Sequence, residues 1–435
     1  MRALRRRSAL RAAACLALAL VGCDQTDVVG KLGAPAPRPE PAAGSAAPAG
    51  GAPAAGGAMA PPPVTPVRSA APSCAAASSV FARALCACGQ VATFGDLRSA
   101  RIAREGAQPA LPAADVGIAG TLQVAAFVGP IGGDLIVTGS GLSLIAGVDG
   151  AIAGALRVQG DLGVSGLTRI GSDAWLGGLL LGDGVLIAAG DLHQLGASVA
   201  LSPQTGAPLV DHAGELVSGE FSIDPPCVCE DAGALRIEAA VARAVVDHDG
   251  QSAGFAPSAL ADLPPDQSLS LPPGRLYVEQ IRAAGDLTLR VTGRTTLFIA
   301  GDLIVHGALR AELSPTAELE LWVAGGMAVT GPLALAPRER PSAARMFVAG
   351  PFIGEPGPAG PPGDEIVEQL PTPAQRENPD AEWVVNLYAP RFDLSLGRDT
   401  DVYGALFVRA LLSIGDVRIH HDPLVLERTS ECHEP

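Results

Sequence analysis

Two short histidine–aspartate clusters are the residues of this sequence best suited to chemistry. One is VDHDG at Val246–Gly250, and the other is HHD at His420–Asp422. Imidazole and carboxylate groups this close together can bind a metal ion or transfer protons, because histidine titrates near neutral pH. Both clusters also fit surface turns, and this is the interpretation we favour. We therefore assign no catalytic residue, no metal site and no cofactor.

A second candidate is a charged face. Carboxylates or arginines on one face of a protein can cleave acidic polysaccharides, and Asp286, Arg290, Arg294 and Arg310 could line such a face. Aromatic platforms for sugars are scarce, because the chain has only three Trp and three Tyr. The sequence also has no Gly-x-Ser-x-Gly elbow, phosphate loop or His-Glu-x-x-His motif. The sequence favours binding over catalysis.

The elements that would position these residues follow from an alternating pattern. Between Ala283 and Leu313 apolar residues occupy odd positions and polar residues lie between them. Strict alternation is typical of strands with one buried face. Phe298 and Trp322 interrupt the polar side, which indicates that part of the outer face is covered.

A repeated tripeptide indicates how the strands are arranged. Gly-Asp-Leu starts at Gly95, Gly133, Gly160, Gly190, Gly285 and Gly301, and Gly415 begins a close variant. Glycine permits unusual backbone angles at a corner, and aspartate can bond its own following backbone, so we interpret these residues as turn chemistry rather than a cation-binding row. Short strands with repeated corners predict an all-β solenoid, a right-handed parallel β-helix with one continuous core.

The predicted organisation has two repeat blocks. Short helices at 75–85 and 231–246 are expected to cap the open ends of the blocks, because an open end exposes unpaired backbone. The segments are a signal peptide (1–22), a disordered Pro/Ala/Gly tether (23–73), a first block (74–222), a Cys-x-Cys linker with a helix (223–274), a second block (275–428) with a long loop (350–382), and a tail (429–435).

The first residues form a targeting signal. A basic stretch through Arg11 leads into an apolar run at Ala12–Val21, which is typical of a secretory signal. The end of this run, Leu20-Val21-Gly22-Cys23, resembles the lipobox of bacterial lipoproteins. The resemblance implies that Cys23 carries lipid and anchors the chain to a membrane of the bacterial cell envelope. We favour the outer membrane or cell surface, with the inner membrane as the alternative.

The charge excludes one class of partner. The formal net charge is −15, with 45 acidic and 30 basic residues. An acidic body repels nucleic acid, so we expect no nucleic-acid partner. The partners that remain are the membrane, through lipid on Cys23, and an envelope polysaccharide or another envelope protein.

Six cysteines remain after the signal and the lipidation site are set aside. They are Cys74, Cys86, Cys88, Cys227, Cys229 and Cys432. An even set in an exported chain suggests disulfides. We expect the two Cys-x-Cys pairs to join each other, which leaves Cys74 with Cys432. The alternative is a zinc site with four thiolate ligands.

The last third of the chain carries a resemblance. Tyr388-Ala389-Pro390, Gly404-Ala405-Leu406 and Ile419-His420-His421-Asp422 look like the end of an uncharacterised bacterial β-helix domain. That domain occurs in secreted proteins of myxobacteria-like organisms and in PilX-type pilus assembly proteins. The resemblance covers residues 275–426 and implies the fold but no activity.

These observations predict a lipid-anchored envelope protein with a structural or adhesive role. The alternatives are a polysaccharide lyase or hydrolase on the same fold, and a scaffold in a pilus or secretion assembly. A flat ladder of side chains would favour binding, whereas a deep groove with converging carboxylates and arginines would favour an enzyme.

Overall fold

The computed structural model describes residues 80–103, 114–125, 128–195, 210–229, 235–250, 254–351 and 381–427. These residues form a parallel β-solenoid of about 12 turns, in agreement with the predicted all-β fold. The long loop predicted at 350–382 falls almost entirely outside the described residues, as do the tether and Cys23.

The strands before the linker are β1 Leu85–Ala87, β2 Val91–Thr93, β3 Leu97–Arg101, β4 Val116–Ile118, β5 Leu122–Val124, β6 Val128–Ile131, β7 Leu135–Val137, β8 Ser143–Ile152, β9 Leu156–Val158, β10 Leu162–Ile170, β11 Ala174–Leu176, β12 Leu180–Gly182, β13 Val185–Ala188, β14 Leu192–Gln194, β15 Val210–His212 and β16 Leu216–Ser218. The helix α1, Ile237–Ala244, follows.

The strands after the linker are β17 Gln267–Leu271, β18 Gly274–Val278, β19 Ile281–Ala283, β20 Leu287–Val291, β21 Arg294–Ile299, β22 Leu303–Val305, β23 Leu309–Leu313, β24 Glu318–Val323, β25 Met327–Val329, β26 Leu333–Ala334, β27 Ala344–Val348, β28 Ala381–Leu396, β29 Thr400–Ser413 and β30 Val417–His421. Two 3₁₀ turns lie at Pro341–Ala343 and Pro423–Val425.

Each turn of the solenoid has three faces. Face 1 contains β18, β21, β24 and β27 in the second block and β1, β4, β7 and β9 in the first. Face 2 contains β19, β22 and β25, and also β2 and β5. Face 3 contains β17, β20 and β23, and also β3, β6 and β30. The long strands β28 and β29 pass around corners and contribute to more than one face.

The two blocks form one stack, and the first and last described strands of the chain lie side by side in the middle of it. The first turn (β1, β2 and β3) pairs on one side with β4, β5 and β6. On its other side it pairs with β29 and β30, the last strands of the chain. The chain therefore winds from the middle to one end, which we call the upper end. It then crosses to the lower end and winds back to its starting point.

The interior agrees with the alternating pattern. Leu287, Leu289 and Val291 are each at most 1% exposed, and Leu303 and Val305 are fully buried. The inward side chains of both blocks belong to a single hydrophobic core. Because apolar area leaves water along the whole stack, this core is the main stabilising contribution to the fold.

The crossing segment lies along face 1, so the helix expected as a cap at 231–246 packs on the side of the stack and not over its end. We call residues 219–250, described at 219–229 and 235–250, the strap. Its helix α1 packs against β18, β21 and β24 on the side of the stack, with Ile237, Val241 and Ala244 buried. Of the other predicted helix, 75–85, the structure describes 80–85: Val80–Ala84 form turns and bends, and Leu85 begins β1. A side placement removes the apolar stripe of α1 from water as well as an end placement would.

Turns close the lower end instead. Leu260 is 1% exposed, its carbonyl accepts a hydrogen bond from the Arg282 N–H at 3.0 Å, and Leu263 forms a bridge with Ala283. At the upper end all three residues of β16 are exposed. Irregular chain thus satisfies backbone groups at the lower edge of face 2.

The aspartates of the repeated corners are structural, but their bonds differ from the prediction. Six of these carboxylates accept a backbone N–H of the adjacent turn rather than of their own turn, because stacked corners bring that N–H within reach. The pairs are Asp134 with Ala155, Asp161 with Leu179, Asp191 with Glu215, Asp286 with Ala308, Asp302 with Gly326, and Asp416 with Asp96, at 2.8–2.9 Å.

Candidate functional site

An aromatic column runs along the outside of face 1. Adjacent turns place these residues in register: Tyr277, Phe298, Trp322, Phe347, Tyr388 and Phe407. The Trp322 and Phe347 rings stack with centroids 4.2 Å apart. The strap covers the column, so Phe347 is 1% exposed and Tyr388 is fully buried. The sequence analysis inferred a covered outer face from the apolar Phe298 and Trp322, and the strap is that cover.

The strap is attached to the column at several points. The Tyr388 hydroxyl accepts a hydrogen bond from the Leu235 N–H at 3.2 Å, and burial raises the pKa of this phenol. Disulfides join Cys86 to Cys227 and Cys88 to Cys229, with Cα atoms 5.8 and 5.5 Å apart. The two Cys-x-Cys pairs thus fix the strap to the first turn. Cys74 and Cys432 lie outside the described residues.

The same column continues towards the upper end as a stack of three planar side chains. Arg157, Trp175 and His193 are in register on β9, β11 and β14. The Arg157 guanidinium lies 4.8 Å from the Trp175 ring centre, and the His193 ring stacks on the other side of Trp175 at 4.6 Å. Both faces of Trp175 are therefore occupied, so this indole has no free face on which a sugar ring could stack. The sequence analysis did not identify this group.

The charged candidates of the second block form a flat ladder of ion pairs. Arg290 contacts Glu312 at 3.0 Å, Arg310 contacts Asp286 at 2.7 Å, and Arg294 lies 3.9 Å from Glu318. Arg290 and Arg310 are on face 3, and Arg294 begins the adjacent face 1 strand β21. The backbone N–H of Ala308, and then Arg310, lower the pKa of Asp286. The structure places these residues on two adjacent faces of the stack and pairs each arginine with a carboxylate.

The cluster at His420–Asp422 is in strand β30 and its end, not on a surface turn. His420 points outward: its ring stacks on Tyr403 at 4.4 Å and its Nε2 lies 2.9 Å from Asp401. His421 points inward and is fully buried, with Nε2 3.1 Å from the Phe81 carbonyl oxygen. Burial lowers the pKa of His421. The alternation of a strand separates the two imidazoles, so they cannot bind one ion together.

The other cluster fastens the lower end of the strap. Asp249 accepts a hydrogen bond from the Arg275 N–H at 2.8 Å, and Asp247 pairs with the Arg275 side chain at 2.6 Å. His248 accepts a bond from Gly250 at 3.0 Å. These contacts agree with the structural interpretation of this cluster.

A shallow groove of about 560 Å³ crosses five turns of the upper stack. Its walls are mainly Ala, Gly and Ile side chains from the ends of the face 3 strands, and its polar side chains are Arg169, Asp211 and His212. Small residues recur at the same corner in each turn, which creates the depression. The sequence signal, Ala or Gly one residue after each face 3 strand, is too common to identify a groove.

Further observations bear on metals, membranes and relatives. Among the residues that the structure describes, no three His, Cys, Asp or Glu side chains are grouped to hold a metal ion. Within the same ranges, no helix has the length and hydrophobicity that a membrane span requires. No protein-family model, curated protein or solved structure matches this chain.

Proposed function

We propose that this chain is a lipid-anchored protein of the bacterial cell envelope whose solenoid has a structural or adhesive role, with face 3 as its contact surface. The observation that carries the proposal is the flat ladder of Arg290, Arg310 and their carboxylate partners. Exposed ion pairs contribute little to stability, typically below about 1 kcal/mol each, so these two neighbouring pairs suit recognition of a polar partner.

Two other features support the proposal. The lipobox-like Leu20–Cys23 supplies an anchor. The paired disulfides of the strap suit an exported protein, because disulfides persist in oxidising compartments. The partner class that fits is an envelope polysaccharide or another envelope protein.

The anchor and the contact surface are tested separately. In cells, Cys23→Ala is expected to remove the lipid from the mature chain, detected by mass, and to move the protein from the membrane to the soluble fraction. For the surface, a photoreactive residue at Thr288 on face 3 should capture one discrete partner on intact cells. The same residue at Val246, 88% exposed on the strap, is the matched control. Equal capture at both positions, or none at Thr288, contradicts a face 3 contact surface.

The second candidate is a polysaccharide-active enzyme, and the groove is the observation that favours it. Arg169, Asp211 and His212 provide one carboxylate, one guanidinium and one imidazole there, whereas most glycoside hydrolases need two carboxylates. The assay is release of reducing ends or unsaturated products from acidic polysaccharides. Product formation that Asp211→Asn abolishes would favour the enzyme over the binding module.

A further inference from the structure

We infer that face 2 lies against the membrane surface and that its exposed leucines enter the bilayer interface. The inference deepens the proposed function and relies on its lipid anchor. It assigns each side of the solenoid a separate role: face 1 is covered by the strap, face 2 meets lipid and face 3 points away from the bilayer.

The first step is a column of outward side chains on face 2 that carries no charge. Seven turns place outward residues of face 2 in register: Ser395, Leu412, Ala92, Gln123, Leu144, Gly163 and Leu181. No member of this column is ionisable. Turns about 4.8 Å apart give the column a length of about 29 Å. We call this column, with its flanking residues Phe94, Leu142 and Leu179, the face 2 strip.

The second step is exposure. Leu144, Leu181 and Leu412 of the column are 36%, 42% and 36% exposed, and the flanking Phe94 and Leu179 are 44% and 67% exposed. The Leu144 side chain lies over Gly163, which has no side chain to separate it from Leu181. Large apolar side chains grouped on one surface mark an interaction site for protein or lipid.

The third step distinguishes lipid from a protein partner. Strands of three residues make the strip only about 10 Å wide, so it offers about 300 Å². A stable protein interface needs about 800 Å² from each partner. A bilayer interface requires no complementary shape, and apolar side chains enter it individually, so the small area suits lipid better than a second copy of this chain.

The fourth step concerns the charge of the protein and the distance that the tether can span. With a net charge of −15, the chain is repelled by anionic headgroups, and the face 2 strip is a side that can approach them. The tether predicted at 23–73 spans about 40 Å as a flexible chain. The described chain begins at Val80, one strand before Ala92 of the strip. Lipid on Cys23 can therefore bring the middle of the strip to the bilayer.

The test uses the lipidated chain in vesicles of phosphatidylethanolamine and phosphatidylglycerol with brominated acyl chains, which quench nearby tryptophan. Leu181→Trp places a reporter in the strip, and Ser268→Trp places a matched reporter on the exposed outside of face 3. We expect the fluorescence of the tryptophan at position 181 to be lower in brominated than in unbrominated vesicles. The fluorescence of the tryptophan at position 268 should be the same in both. Leu142→Glu and Leu179→Glu together, in the Leu181→Trp chain, should restore that fluorescence while lipid keeps the protein bound.

The possible failures are distinguishable. A chain with no added lipid mass on Cys23 would overturn the anchor on which the inference relies. A lipidated chain that shows equal quenching at positions 181 and 268, or none at 181, would overturn the face 2 assignment alone. Dimers in light scattering that Leu181→Glu dissociates would instead assign the strip to a second copy of this chain.

Discussion

The two disulfides should stabilise the protein in a strongly non-additive way. Both bridges close nearly the same loop, because each joins residues 141 positions apart. Loop closure of this size is worth about 5 kcal/mol at 25 °C in the chain-entropy relation. With one bridge present the long loop is already closed. The second bridge then closes only the small ring through Cys86, Cys88, Cys227 and Cys229, worth about 2 kcal/mol by the same relation.

The perturbation is pairwise replacement by alanine, which leaves no unpaired thiol. Cys86→Ala with Cys227→Ala, or Cys88→Ala with Cys229→Ala, should each lower the free energy of unfolding by about 2 kcal/mol. The variant lacking all four cysteines should lose about 7 kcal/mol, more than the sum of the two pairs.

The assay is urea unfolding followed by the strand signal in circular dichroism, with thiol counting to verify each bridge. The reasoning is refuted if the four-alanine variant is no less stable than either pair variant. In that case packing of the strap alone would fix its position, and chain entropy would contribute nothing measurable.

Three further predictions concern the column, the buried imidazole and one glycine. Phe347→Ala should lower the free energy of unfolding in urea by about 3–5 kcal/mol, because the Phe347 ring is buried beneath the strap. Trp175→Ala, in the same column nearer the upper end, should lower it clearly less. Equal losses in the two variants would show that the strap does not bury the column. Because burial lowers the pKa of His421, its neutral form is the one that fits the fold, so stability should fall as pH drops below about 6.5, the ordinary histidine pKa. His421→Gln should flatten the stability profile between pH 7 and pH 5, and an unchanged profile would assign the acid sensitivity to other groups. Gly404→Ala should lower the melting temperature strongly, because Gly404 has φ +132° and an added Cβ would lie 2.2 Å from the Val385 carbonyl oxygen. Gly397 has open space around it, so Gly397→Ala should leave the melting temperature nearly unchanged.

The strands could be predicted from sequence because burial imposes a period of two. Leu287, Leu289 and Val291 follow it, and all are buried. The outward Phe298 and Trp322 also indicated a covered face correctly. In both cases the signal is local, since a side chain and its neighbours in sequence record which way the chain faces.

The stacking order could not be predicted in the same way. Leu85 pairs with Leu406 across most of the chain, and parallel pairing of one leucine with another leaves no signature in either segment. The apolar stripe of α1 showed that the helix is buried on one side, but not whether it packs on an end or a side. The face 2 strip was missed for a related reason: consecutive leucines such as Leu179–Leu181 hide which of them points outward.

The pairing of the first described strands with the last ones, in the middle of the stack, has a consequence for folding during synthesis. Synthesis from the N-terminus produces β1 first, yet the strands that complete the lower edge of that turn, β29 and β30, arrive last. Until they arrive, the earliest turn carries an open row of amides and carbonyls that another molecule could occupy. Correct folding therefore depends on keeping this edge from neighbouring chains until β29 and β30 have been synthesised.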